Sequence, residues 1–307
     1  MVNNPQTRLI EQTPDQFILS ELYQYHLTAE TNPLFITLVG GGGKTSAAFW
    51  LARKFKQWGH AVCLTTTTKM YLPDADQADY ILPLDAMYCN KKENKKRIKV
   101  RNDALTQDAF CFYDPTITFC YKSLLTDHLK TTRLKVSGLS EKEIKKLESD
   151  FPFTVFIIEG DGSRSLPIKA PHGHEPCIPS YSDMVIGVTG AEAINHKAIP
   201  ERIHRWPAFS ALTQCQPGDV LDADVLKPLI SHPLGLFKST PRTAKQVWLI
   251  NKMDKANDTH AVSQIAEEVL VNSPQLDAVW LAEMQSETPI KKVILKEQVA
   301  NATESCH

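Results

Sequence analysis

A run of four glycines followed by Lys44 and Thr45 constrains this chain more than any other feature. Ahead of it, Leu34–Val39 is an unbroken apolar run, which predicts a buried strand. Behind it, Thr45–Trp58 sets Ala48, Leu51, Ala52 and Phe55 on one face of a helix. Strand, glycine loop, Lys-Thr and helix is the P-loop arrangement. Gly40, Gly41, Gly42 and Gly43 would let backbone N–H groups curl around an anion, and the helix start adds partial positive charge. Lys44 is expected to stand exposed and reach the outer phosphates. Thr45 would ligate Mg²⁺, with Ser46 beside it in the first turn. The common pattern carries a glycine where this chain has Leu38. A flexible turn before an ordinary helix is the bland alternative, and the flanking strand and helix argue against it.

Composition narrows the class. The 307 residues are 42% hydrophobic and 22% charged, ordinary for a globular protein with a sizeable core. A net charge of −1 gives no electrostatic case for a nucleic-acid partner. No apolar run is long enough to span a membrane. The start of the chain has no leader-like pattern, and the seven cysteines form no CxxC pair. The expected location is a reducing cytoplasm.

The order of elements predicts a P-loop NTPase-like, three-layer α/β fold with a predominantly parallel sheet and a small β-rich insertion. Residues 1–33 read as a helical lead-in with Phe17, Ile18 and Leu22 on its apolar face. Residues 34–300 read as the P-loop domain, with the insertion at about 85–139, and 301–307 as a disordered tail. Within the insertion, Asn90–Arg101 is strongly basic and reads as a solvated face. Phe110–Tyr113 and Ile117–Tyr121 suggest a hairpin around Asp114-Pro115. Ser140 and Glu143 form a capping box for a helix to about Ser149. Further strands are expected at Ala61–Leu64, Val155–Ile158, Val185–Val188, Val247–Ile250 and Ala278–Leu281. Helices are expected near Asp224–Ile230 and Val262–Val271.

Four segments carry chemistry. Glu159-Gly160-Asp161-Gly162-Ser163-Arg164 follows the strand at Val155 directly. An acid at the end of a strand neighbouring a P-loop holds the Mg²⁺ water shell or orients the attacking water, so Glu159 and Asp161 are both candidates. A plain polar turn is the alternative. Asn251-Lys252-Met253-Asp254 matches the guanine-selecting NKxD pattern. Asp254 would accept two hydrogen bonds from the guanine edge, Asn251 would brace the loop, and Lys252 would lie along the base. Thr65–Thr68 and Lys69 either extend a strand or form a switch segment by the γ-phosphate, with Thr67, Thr68 and Lys69 nearest. Pro167–Cys177 holds His172, His174, Glu175 and Cys177 among prolines. It reads as a stiff loop beside the phosphate site rather than a metal centre. Arg164 and Lys169 are candidates to neutralise phosphate charge. They could equally serve a separate substrate together with His174 and Glu175.

Taken in order, GGGGKT, TTTTKM, EGDGSRSLPIKAPHGHEP, IHRW and NKMD resemble the YqeC-like selenium-dependent hydroxylase accessory proteins over most of residues 30–285. The resemblance implies a role in maturing a selenium-dependent molybdenum hydroxylase, with that enzyme or its maturation factors as partner. Together with the motifs it leads to an expected Mg²⁺-dependent GTPase of slow turnover, ATP being the alternative nucleotide. Two other classes fit the same residues. One is a P-loop kinase or nucleotidyltransferase acting on a small molecule. The other is a non-catalytic protein whose client binding is gated by nucleotide.

Overall fold

The computed structural model describes residues 8–18, 20, 32–89, 115–125 and 133–297. The strands are β1 (Leu9–Gln12), β2 (Leu34–Gly40), β3 (Val62–Thr66), β4 (Lys69–Tyr71), β5 (Tyr80–Pro83), β6 (Ile117–Tyr121), β7 (Ser123–Leu124) and β8 (Lys135–Ser137). They continue as β9 (Val155–Glu159), β10 (Ile168–Lys169), β11 (Met184–Gly190), β12 (Ile203–His204), β13 (Lys245–Asn251), β14 (Ala278–Ala282) and β15 (Ile290–Lys296). The helices are α1 (Pro14–Ile18), α2 (Lys44–Gln57), α3 (Leu84–Cys89), α4 (Glu141–Asp150), α5 (Trp206–Thr213), α6 (Ala223–Ser231) and α7 (Thr259–Val271).

Ten strands form one sheet in the order β1-β15-β14-β13-β11-β2-β9-β3-β6-β5. Every pairing from β14 to β5 is parallel. Strand β15 joins β14 antiparallel, and β1 joins β15 antiparallel. The central strands are buried on both faces, which is why they read as continuous apolar runs. Alternation sorts their residues. Ile36 and Leu38 face the layer of α2, where Ala47, Phe49, Leu51 and Phe55 pack. Val39, Trp248 and Ile250 face the opposite layer of α5, α6 and α7. Phe156 and Ile158 face α4 through Ile144 and Leu147. Each large side chain so buried contributes roughly 1.5–3 kcal/mol relative to exposure. The result is a three-layer α/β fold with a mostly parallel sheet.

Several elements differ from the sequence reading. Ile117–Tyr121 is not one arm of an inserted hairpin. It is a fully buried strand of the main sheet, parallel to both β3 and β5. The other proposed arm, Phe110–Tyr113, and the basic run Asn90–Arg101 lie outside the described residues, as does 301–307. In the N-terminal segment, the edge strand β1 is an addition. Of the helix expected there, Pro14–Ile18 is described and Leu22 lies outside the described residues; Phe17 packs edge-on against Trp280 at 5.8 Å. The capping box is present: Ser140 accepts from the Glu143 N–H while Glu143 accepts from the Ser140 N–H.

Strand β2 is where the sheet's winding reverses. The chain runs from β2 through β3, β5, β6 and β9 on one side, then through β11, β13 and β14 on the other. The crevice at the carboxyl ends of strands at such a switch point is the usual ligand site of open α/β sheets.

Candidate functional site

The glycine loop sits at that crevice. Strand β2 ends at Gly40, and α2 starts at Lys44. Gly40, Gly42 and Gly43 have φ of 96°, 73° and 118°, a region that favours glycine. Space is equally restrictive. A Cβ on Gly42 would lie 2.3 Å from the Gly190 nitrogen, and one on Gly43 would lie 2.4 Å from Asn251 Nδ2. The N–H groups of Gly41 and Gly42 donate to Val188 and Leu166 carbonyls at 2.8 and 3.0 Å. The residue before α2, Gly43, offers no side-chain cap to its first turn. The donors of that turn are therefore left for water or an anion.

Lys44 is not exposed as expected. It is 3% exposed and turned back into the protein, donating to the Gly40 carbonyl at 2.5 Å and pairing with Asp161 at 3.2 Å. Asp161 accepts from the Gly40 N–H with both carboxylate oxygens at 3.1 Å and pairs with Lys169 at 2.8 Å. Lys169 continues the line, to the Gly162 carbonyl at 2.7 Å and Glu175 at 2.5 Å. Glu175 also meets Arg205 at 2.8 Å. Buried charges persist only when paired in this way.

The two acids of the β9 end are separated in role by geometry. Glu159, in the last position of β9, accepts from the Thr45 hydroxyl at 2.8 Å. Asp161, two residues on, meets Lys44 and Lys169 instead. Burial pushes the Glu159 carboxyl above the usual carboxylate range, opposed by Lys44 and by the Thr45 hydroxyl. Thr66 and Thr67 close over the same strand end. Thr66 Oγ1 donates to the Glu159 carbonyl at 2.9 Å, and Thr67 Oγ1 to the Cys177 carbonyl at 3.2 Å. Thr68 Oγ1 lies 3.4 Å from that of Thr66, and Lys69 is exposed on β4.

The NKMD segment is brought to the glycine loop. Asn251 pairs in register with Gly190, two strands from β2. Its Nδ2 donates to the Gly42 carbonyl at 2.8 Å, and its Oδ1 accepts from the Met284 N–H at 3.0 Å. Lys252 has a φ of 63° and pairs with Glu192 at 2.5 Å. Asp254 is exposed just beyond.

The Pro-rich loop packs on the site from the other side, with the Pro167 carbonyl accepting from the Gly190 N–H at 2.9 Å. Lys238 fastens it through the carbonyls of Gly173 and Glu175. His174 and Arg164 are exposed at its rim. Among the described residues, no three His, Cys, Asp or Glu side chains cluster as a metal site. The Lys169 ammonium is enclosed by protein, between Asp161 and Glu175. Cys63, Cys120, Cys177 and Cys215 are in no disulfide. No described helix is long and apolar enough to cross a membrane. Sequence reasoning missed Arg205, Glu192 and Lys238. Arg205 lay within the quoted IHRW run, whereas Glu192 and Lys238 carry no local signal.

These features define an α/β protein with a glycine-loop site at the switch point of a parallel sheet. The family model described as YqeC protein matches residues 36–207, more than half of the chain. A protein of Escherichia coli strain K12, described as "Uncharacterized protein YqeC", is 33% identical over 266 residues. That alignment covers 87% of this chain and 93% of the relative. The chain belongs to the YqeC family.

Proposed function

We propose that the protein binds a nucleoside triphosphate with Mg²⁺, GTP in preference to ATP, and hydrolyses it slowly. In the cell this would serve maturation of a selenium-dependent molybdenum hydroxylase, the client implied by the family resemblance. The observation that carries the nucleotide reading is the 2.8 Å bond from Asn251 to the Gly42 carbonyl. It ties the NKMD segment directly to the glycine loop, which supports reading the two as parts of one nucleotide site.

In this reading the uncapped N–H groups of the first turn of α2 and the ammonium of Lys44 hold phosphate oxygens. Mg²⁺ prefers hard oxygen donors, and the Thr45 hydroxyl and Glu159 carboxylate supply them side by side. Those two residues would hold the ion, and the ion would neutralise charge developing on the phosphates. Asp161 then governs Lys44 rather than the metal. Asp254 selects guanine, with Asn251 as its brace and Lys252 lying along the base.

The test is equilibrium binding of GTP, ATP and CTP with and without Mg²⁺, on wild type and Lys44→Ala. Micromolar binding of GTP that needs both Mg²⁺ and Lys44 is expected. No binding of any nucleotide by wild type would end the proposal. Hydrolysis that accelerates only with a low-molecular-weight acceptor would move the assignment to a P-loop transferase.

A further inference from the structure

Lys169 holds no ligand in the reading above, yet its ammonium is fully enclosed and contacts two carboxylates. Asp161 in turn lies between two ammoniums, Lys44 at 3.2 Å and Lys169 at 2.8 Å. The outcome is an alternating line of charge, Lys44–Asp161–Lys169–Glu175–Arg205. It runs from the glycine loop to the exposed His172 turn, whose carbonyl Arg205 also binds at 3.3 Å. The remaining acid nearby, Glu159, accepts from the Thr45 hydroxyl and feels Lys44 and Lys169 only at a distance.

We propose that Lys169 is a positioning residue of the phosphate site: by sharing Asp161, it sets how readily Lys44 is released to a phosphate. The proposal rests on the nucleotide-binding reading above. In the structure Asp161 occupies Lys44 as an internal anion. A phosphate must therefore compete with a carboxylate for that ammonium. Lys44 can leave at low cost only if Asp161 keeps another cation, because a buried carboxylate stripped of its partner is strongly unfavourable. Lys169 is that cation. Glu175 draws on Lys169 from the far side and so opposes the release of Lys44. Arg205 shares Glu175 and moderates that pull.

Binding of Mg-GTP and of guanosine is to be measured by calorimetry on wild type, Lys169→Met, Asp161→Asn and the double variant. Lys169→Met is expected to weaken GTP at least about tenfold, equivalent to about 1.4 kcal/mol. Guanosine, which lacks phosphate, should be unaffected. In the Asp161→Asn background the same substitution should change GTP affinity by less than about twofold, because coupled residues are non-additive. An equal factor in both backgrounds would reduce Lys169 to a general positive field and overturn the proposal. An equal loss for guanosine would make it a folding residue and overturn it too. If wild type binds neither GTP nor ATP, the nucleotide reading fails and takes the proposal with it. Should Lys169→Met not fold, Glu175→Gln decides. It is expected to tighten GTP binding in the wild-type background and to leave it unchanged in Asp161→Asn. The same change in both, or none in either, overturns the proposal.

Discussion

Removing Asp161 and removing Lys44 should have unequal effects on stability, although the two side chains form one ion pair. Asp161→Asn takes a negative charge from between two buried ammoniums. Lys169 keeps Glu175 and the Gly162 carbonyl, so it stays compensated. Lys44 keeps the Gly40 carbonyl and a non-contacting attraction to Glu159, whose carboxyl burial pushes toward the neutral form. One buried ammonium is left without a contacting counter-charge, a loss of roughly 3–5 kcal/mol. Lys44→Met leaves Asp161 with Lys169 and with the Gly40 N–H, so no charge is stranded. Its loss is one charged hydrogen bond to a carbonyl and one of the two cations on Asp161, set against relief from burying the ammonium, about 1.5–3 kcal/mol in all, partly offset because Met keeps the apolar stem. At about 2 °C per kcal/mol for a chain of this size, Asp161→Asn should lower Tm by about 6–10 °C and Lys44→Met by about 2–5 °C. The Lys44→Met, Asp161→Asn double variant removes both partners. It should melt above the single Asp161→Asn variant, with strong non-additivity. Thermal melts without nucleotide measure all three. Equal losses for the two single variants, or simple additivity in the double, would refute the assignment of Asp161 as the shared counter-charge.

Three further outcomes are expected. Burial raises the Glu159 carboxyl in the folded protein, so the folded chain holds that proton more tightly than the unfolded one. The stability cost of ionising it grows as pH rises from the unfolded value through the raised one, and is flat above. Glu159→Gln escapes this cost, so its Tm relative to wild type should rise as pH increases from about the ordinary carboxylate range and level off once the raised carboxyl is ionised. A flat or falling difference would remove the carboxyl from that role. Gly43→Ala places a methyl group against Asn251 Nδ2 at a φ of 118°. The variant should melt several degrees lower and lose nucleotide binding together with the Asn251 brace; wild-type behaviour in both would show the loop to be slack. Asp254→Asn, at an exposed position, should leave Tm unchanged while moving preference from GTP towards XTP by roughly 1.5–3 kcal/mol per disturbed charged hydrogen bond. Competition binding checks it, and an unaltered GTP affinity would make NKMD a coincidence.

Much of the framework was legible in local sequence. The apolar run before the glycines is a strand because Leu34–Val39 is buried on both faces, and α2 begins where the glycines end. Ser140 and Glu143 announced their helix because a capping box is complete within four residues. Val155, Val185, Val247 and Ala278 open or lie in strands of the parallel sheet for the same local reason. The close association of Asn251 with the glycine loop also follows once β13 is placed two strands from β2.

Only the tertiary structure decided the rest, because the deciding partners are remote in the chain. Leu9–Gln12 is a strand because β15, at the other end of the molecule, offers an edge to pair with. Ile117–Tyr121 belongs to the main sheet because β3 and β5 flank it, which no turn signal at Asp114 reveals. Glu159 and Asp161 are equivalent as letters two apart. They diverge because Thr45 reaches one, while Lys44 and Lys169 enclose the other. Lys44 itself is the plainest case. Its motif specifies a cation at the start of a helix. Whether that cation faces solvent or a buried carboxylate is set by where β9 ends beside β2, and here it meets the carboxylate.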